Sequence, residues 1–233
     1  MKKAIMNWSG GKDSALALWR IRQSGNYAVE TLLTTLNATN RRISMHGVSE
    51  KLLDEQAYRL GLPQTKLYLP EESAMSDYEQ RMADALQPLV DRGVTQAIFG
   101  DIFLEDLRQW REDRLAKQGL TGVFPIWQMP SLQLLDEFWD AGFATIVVSV
   151  NSQYLDKSFC GRVLDRAFVD ELPAGVDPCG ENGEFHTFVY QAPYFAEPID
   201  IQVKDIVTKT YEFNTATGEQ QTSTYYFADL QAL

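Results

Sequence analysis

The chain has 233 residues, 45% of them hydrophobic and 12% aromatic, and carries a net charge of −11. That size suits one large or two modest globular domains, and the negative charge argues against non-specific binding to nucleic acid or anionic membrane. No apolar run approaches the roughly 20 residues of a membrane helix, and Met1-Lys2-Lys3-Ala4 leads into no sustained apolar stretch, so neither membrane insertion nor secretion is expected.

Cys160 and Cys179 lack metal or redox spacing and fit a reducing compartment, so a cytoplasmic location is expected. Charge is unevenly spread. Residues 1–60 carry +4 and the remainder −15, which makes the first sixty the readiest place for an anionic ligand.

Lys3 to Trp8 reads as a short buried strand, followed at once by Ser9-Gly10-Gly11-Lys12-Asp13-Ser14. An amphipathic helix follows from Asp13 to Gln23, with Gly25 as its stop. Ala28 to Leu36 is a second strand, Asn37 to Gly47 a loop, and Val48 to Leu60 a helix ended by Gly61. Thr65 to Leu69, Ser76 to Arg92, Gln96 to Phe99 and Phe103 to Gln118 continue the strand–helix alternation. This rhythm predicts right-handed βαβ units and a parallel sheet covered on both faces. Ser131 to Ala141 (helix) and Phe143 to Val150 (strand) are expected to complete or extend that sheet. A helix is expected at Arg162 to Glu171, then strands at Phe185 to Tyr190, Ile199 to Val203 and Ile206 to Phe213. A turn at Asn214 to Gly218 would pair Gln220 to Phe227 back as a hairpin. The expected architecture is α/β, with a larger α/β domain at residues 1–130 and a smaller α+β domain at 131–233.

The loop from Ser9 to Ser14 emerges at the C-terminal end of a strand, where open parallel sheets bind ligands. Gly10 and Gly11 let the backbone approach closely, and the helix start offers unpaired N–H groups at its positive end. Ser9 and Ser14 add hydroxyls, Lys12 adds a positive charge, and Asp13 can hold Mg²⁺ or cap the helix. Every residue type suits a polyphosphate. The spacing is neither G-x-x-x-x-G-K-[ST] nor G-x-G-x-x-G.

This loop resembles the Ser-Gly-Gly-x-Asp-Ser signature of the N-type ATP pyrophosphatases, the PP-loop or adenine nucleotide alpha hydrolase family. Within it the chain is similar to the diphthine–ammonia ligase branch over nearly its whole length. The matching features are Met45-His46-Gly47-Val48, Gly100-Asp101, Arg111-Glu112, Pro125-Ile126-Trp127 and Asp177-Pro178-Cys179-Gly180-Glu181-Asn182-Gly183-Glu184-Phe185-His186-Thr187. Asn182 stands where the branch usually has glycine and His186 where it has an acidic residue. The cysteine often found on the fourth helix is missing. These departures resemble a bacterial-type subgroup.

The resemblance implies a Rossmann-like (HUP-type) first domain that grips ATP, with Mg²⁺, and a second domain that closes a cleft over the acceptor. The implied reaction adenylates a carboxylate, releases pyrophosphate and then forms an amide with ammonia. The partners implied are a small-molecule or protein-borne carboxylate and ammonia; no membrane partner is expected, the charge disfavours nucleic acid, and homodimerisation is left open. Ser9 to Ser14, His46 and Gly100 are expected at the nucleotide, with Lys12 and the helix end stabilising the leaving pyrophosphate. His46 could instead be a packing residue. Asp101 suits Mg²⁺ or substrate, or a helix N-cap. Arg108 and Glu112 are expected as an exposed i,i+4 pair, leaving Arg111 to meet an anion. Glu181, Glu184 and His186 suit ammonia delivery, a base keeping the amine neutral, with strand alternation placing Glu184 and His186 on one face. Two other readings stay open: a PP-loop enzyme acting on tRNA, and a nucleotide-binding protein without turnover.

Overall fold

The computed structural model describes residues 1–70, 75–214 and 220–233. Five strands form a parallel sheet: β1 (Lys2–Asn7), β2 (Tyr27–Asn37), β3 (Gln64–Leu69), β4 (Gln96–Ile98) and β5 (Thr121–Val123), in the order β3-β2-β1-β4-β5. They are linked by α1 (Lys12–Ser24), α2 (Glu50–Leu60), α3 (Met75–Asp91) and α4 (Glu105–Lys117). Strand alternation divides the sheet's two faces. Ala4 and Met6 of β1 face α1 and α2, whereas Ile5 joins Leu86, Leu89 and Leu115 under α3 and α4. This is the Rossmann-like sheet covered on both faces that the strand–helix rhythm predicts.

The C-terminal part holds α5 (Ser131–Asp140), β6 (Ala144–Asn151), α6 (Arg166–Asp170), β7 (Phe185–Gln191), β8 (Ile201–Asn214) and β9 (Gln220–Ala232). Its strands form an antiparallel sheet, β7-β6-β9-β8. Here the sequence expectation needs correcting. β6 does not extend the parallel sheet; it pairs antiparallel with β7 and β9. The fifth parallel strand is β5, three residues beside Gly119 and containing Gly122, too short to show a period. The two runs Ile199 to Val203 and Ile206 to Phe213 belong largely to one strand, with an irregularity between Val203 and Asp205 absorbing the polar Lys204-Asp205 step. The helix expected from Arg162 starts only at Arg166, because the Asp165 side chain accepts the Phe168 N–H at 2.8 Å and caps it there. The turn expected at Asn214 to Gly218 falls mostly outside the described residues. No helix among the described residues is long and apolar enough to cross a membrane.

The two sheets share one core, which runs from Met6, Leu16 and Leu53 through Phe138 and Phe143 to Val147, Phe185 and Phe188. At its centre Gln56 of α2 is wholly buried. Its Oε1 accepts the Trp8 indole N–H at 2.9 Å, and its Nε2 donates to the carbonyls of Gly10 at 3.0 Å and Val189 at 2.7 Å. One amide thus joins the end of β1, the following loop, α2 and β7. Gln56→Leu would keep the volume and leave the Trp8 indole N–H without an acceptor, while both carbonyls lose a donor. We expect a loss of at least ~3 kcal/mol in urea denaturation, given about 1–3 kcal/mol for each unsatisfied buried group; a loss below ~1 kcal/mol would refute this role.

Candidate active site

The loop between β1 and α1 is shaped by close approach. Gly10 has φ 76°, and a Cβ there would lie 2.6 Å from Gln56 Oε1. Its carbonyl also accepts the Val189 N–H at 2.9 Å. Gly11 is the N-cap of α1, and a Cβ on it would lie 3.1 Å from the Thr187 carbonyl and 3.3 Å from the His46 ring. The Lys12 N–H donates to Thr187 Oγ1 at 3.0 Å. The Ser14 hydroxyl donates to the Gly11 carbonyl at 3.0 Å and lies 3.3 Å from Ser9 Oγ. Gly100, after β4, lets that strand end abut α1: a Cβ there would fall 2.7 Å from the Asp13 carbonyl carbon.

These groups border a cavity of about 380 Å³ at the C-terminal ends of β1 and β4. From the loop it is lined by Ser9, Lys12, Asp13 and Ser14, and from elsewhere by His46, Gly100, Asp101, Arg111, Glu181 and His186. Most of the expected site residues therefore meet in one place, although they come from segments far apart in the chain. Gly10, Gly11 and Glu184 are not part of the lining.

Lys12 is almost wholly buried, 2% exposed, with Nζ 2.8 Å from both carboxylate oxygens of Asp13. Burial opposes its charge most strongly, but the nearby acidic groups, Asp13 foremost, together more than offset it and raise its pKa, so Lys12 is a fixed cation. His46 and His186 stack with ring centroids 4.4 Å apart. Burial lowers the His46 pKa to about 4, and burial together with His46 and Lys12 holds His186 well below its ordinary value. Both imidazoles are neutral at neutral pH. His46 Nδ1 lies 3.4 Å from the Thr187 carbonyl, while His186 Nε2 is buried without a hydrogen-bond partner among the described residues. Cys179 also lines the cavity, but burial pushes its thiol up to about 12, which removes it as a nucleophile near neutral pH.

The segment before β7 has its own scaffold. Glu184 is buried, and its carboxylate accepts the N–H groups of Asp177 at 3.0 Å and Asn182 at 2.9 Å, plus the Asn182 side-chain amide at 3.1 Å. This corrects the expectation that Glu184 acts as a base or binds substrate. Three hydrogen bonds tie its carboxylate to the turn it folds, it does not line the cavity, and it lies just before the strand that begins at Phe185. The turn presents Glu181, whose Oε1 accepts the Ile102 N–H at 3.0 Å. Asp101 carries no helix cap, since Leu104 is the N-cap of α4; its oxygens lie 2.7 and 3.2 Å from Arg111 Nε and Nη2. The anion that Arg111 meets here is therefore Asp101. Arg108 and Glu112 pair at 2.9 Å, as their spacing predicts.

The donor set fits a polyphosphate: a fixed ammonium, a helix N-terminus, two serine hydroxyls, glycines that allow close approach, and an orphaned imidazole nitrogen. The fit to Mg²⁺ is narrower. Asp13 is the loop's only carboxylate and already faces Lys12, and no cluster of three or more His, Cys, Asp or Glu able to hold a metal occurs among the described residues.

Sequence reasoning gave no role to Gln56 or Thr187, which position the loop from α2 and β7. Thr187 closes the matched Asp177-to-Thr187 stretch, and that was its one available signal.

Two family descriptions match the chain: "Diphthamide synthase N-terminal domain" over residues 1–121 and "Diphthamide synthase C-terminal domain" over 130–220. Among curated relatives, a diphthine–ammonia ligase from Bos taurus is 23% identical, covering 86% of this chain and 83% of its own. Diphthine–ammonia ligases from Homo sapiens and Danio rerio are 22% and 24% identical, each with 85% of this chain covered and with 82% and 86% of their own. A solved structure described as a predicted subunit of tRNA methyltransferase from Methanocaldococcus jannaschii gives a TM-score of 0.40 at 16% identity, over 62% of this chain and 77% of that one.

Burial and the nearby Asp13 carboxylate push the Glu181 pKa up from 4.5 to about 7. The folded state then holds this proton more tightly than the unfolded chain does. Glu181 therefore favours folding fully below about 4.5, and that contribution is lost as pH rises through about 7. Glu181→Gln keeps an oxygen for the Ile102 N–H, so its stability relative to wild type should climb across that interval in urea denaturation. A pH-independent difference would contradict this assignment.

Proposed function

This chain belongs to the diphthamide synthase family of PP-loop ATP pyrophosphatases, which are ATP-dependent ligases, and we propose that it adenylates a carboxylate and then forms an amide with ammonia. The observation that carries this reading is the loop from Ser9 to Ser14, where a buried ammonium and a helix start border one cavity with His46, His186 and Glu181. In this reading residues 1–130 hold ATP and residues 131–233 shape the acceptor side.

A carboxylate oxygen of the acceptor attacks the α-phosphorus, and the bond to the bridging oxygen breaks to release pyrophosphate. Lys12, the α1 N-terminus and the hydroxyls of Ser9 and Ser14 meet the negative charge that grows on that leaving group. The neutral imidazole of His186 offers Nε2 as a hydrogen-bond partner without adding charge. Ammonia then attacks the acyl carbon, AMP leaves with the carbon–oxygen bond pair, and the amine loses one proton. Glu181, with its pKa near 7, is the carboxylate in the cavity suited to take it. Mg²⁺, when bound with the phosphates, supplies charge neutralisation, and Asp13 is the side chain of the loop that would reach it. Most of the rate enhancement is positioning and electrostatics, with no covalent bond to the protein. In this proposal the chain acts in the cytoplasm.

Incubation with ATP, Mg²⁺, ammonium and a panel of carboxylic acids should give AMP and pyrophosphate in equal amounts, together with an amide. Ser14→Ala should cut AMP formation at least about tenfold with an unchanged circular dichroism spectrum, the scale of losing one transition-state donor. Release of ADP in place of AMP, or full activity in that variant, would overturn the proposal.

A further inference from the structure

A second cavity, of about 730 Å³, adjoins the first, with Ile43 and Tyr78 lining both. Two of its rings, Tyr78 and Trp110, come from α3 and α4; three more, Tyr211, Tyr225 and Phe227, come from the β8–β9 hairpin. The rings on each side are packed against one another, Tyr78 with Trp110 at 6.2 Å and Tyr225 with Phe227 at 6.1 Å between centroids. Such a lining takes a flat or apolar body.

Its described lining is cationic. In a chain of net charge −11, no Asp or Glu lines this cavity among the described residues, while Arg42 and Lys209 do. The Arg42 guanidinium is already engaged, by Asp229 at 2.7 Å and by the Gly47 carbonyl at 2.8 Å. Lys209 forms no ion pair among the described residues and rests over the Phe227 ring at 5.6 Å. A cationic guest is disfavoured twice. Lys209 would repel it, and two of the five rings already carry a cation, Phe227 that of Lys209 and Trp110 the Arg114 guanidinium at 4.0 Å.

We propose that this cavity seats the acceptor, and that the acceptor is a flat acid carrying a second anionic group. This rests on the reading of the chain as a carboxylate-activating ligase. One carboxylate passes Ile43 and Tyr78 to the phosphate loop, the planar body lies among the rings, and the second anionic group pairs with Lys209. The inference separates this chain's acceptor from any whose far end is a quaternary ammonium.

Matched probes test it: terephthalate and para-trimethylammoniobenzoate, equal in their flat carboxylate end and opposite in charge at the other. Binding is read as quenching of Trp110 fluorescence in the full chain, with Trp110→Phe defining the background. Terephthalate should bind about tenfold or more tightly than the trimethylammonium acid, Lys209→Gln should remove that preference, and Lys209→Arg should keep it. Equal or tighter binding of the trimethylammonium acid, an unchanged terephthalate affinity in Lys209→Gln, or no saturable terephthalate binding at millimolar concentration overturns the inference. The two readings fail separately. Lys209-dependent terephthalate binding by an enzyme that yields no AMP from any carboxylate sinks the ligase reading and leaves the anion seat standing. AMP formation driven only by quaternary-ammonium acids does the reverse.

Discussion

A phosphate loop works only if its backbone is held in one shape, and here that shape is held from behind by the second sheet. Gly10 gives its carbonyl to the Val189 N–H and the Gln56 side-chain amide, and Lys12 gives its N–H to Thr187 Oγ1. None of these partners belongs to the strand–loop–helix unit that carries the motif. The polar groups are buried, so each unpaired one would cost free energy in full, and together they remove most alternative conformations of residues 9–14.

The charge arrangement follows from the same packing. Lys12 is almost wholly buried, and the adjacent Asp13, part-buried, is the carboxylate that pairs with its ammonium. Their pairing keeps a cation at the loop at any physiological pH. The stacked histidines behave oppositely, since burial beside Lys12 keeps both neutral. The cavity therefore combines the Lys12–Asp13 and Arg111–Asp101 ion pairs, two neutral imidazoles and a carboxyl group titrating near neutrality, a division of roles set by environment.

Four of the five parallel strands, β1 to β4, were legible because apolar strand runs alternate with helices along the chain, whereas β5 was too short to show. The loop was legible because the glycines, serines and lysine lie within six consecutive residues. What the sequence did not reveal lies in contacts between distant segments. β6 has the composition of a central strand in either sheet, and only its partners β7 and β9 decide which. Glu184 and Glu181 look alike in the chain. One folds a turn around its carboxylate while the other enters the cavity, and the difference is made by the N–H groups of Asp177, Asn182 and Ile102. The aromatic cavity draws its rings from α3, α4 and the final hairpin, whose separation in sequence hides any pattern.

Because β7 supplies two partners for the loop's backbone, the Val189 N–H and the Thr187 hydroxyl, and its carbonyl at Val189 accepts from Gln56, the amino-terminal and carboxy-terminal halves are not interchangeable modules. A chimera that grafted either half onto a distant relative would have to transplant this seam intact. The halves must then drift together during evolution, and a gene split near residue 130 would yield a first fragment whose nucleotide grip lacks its backing.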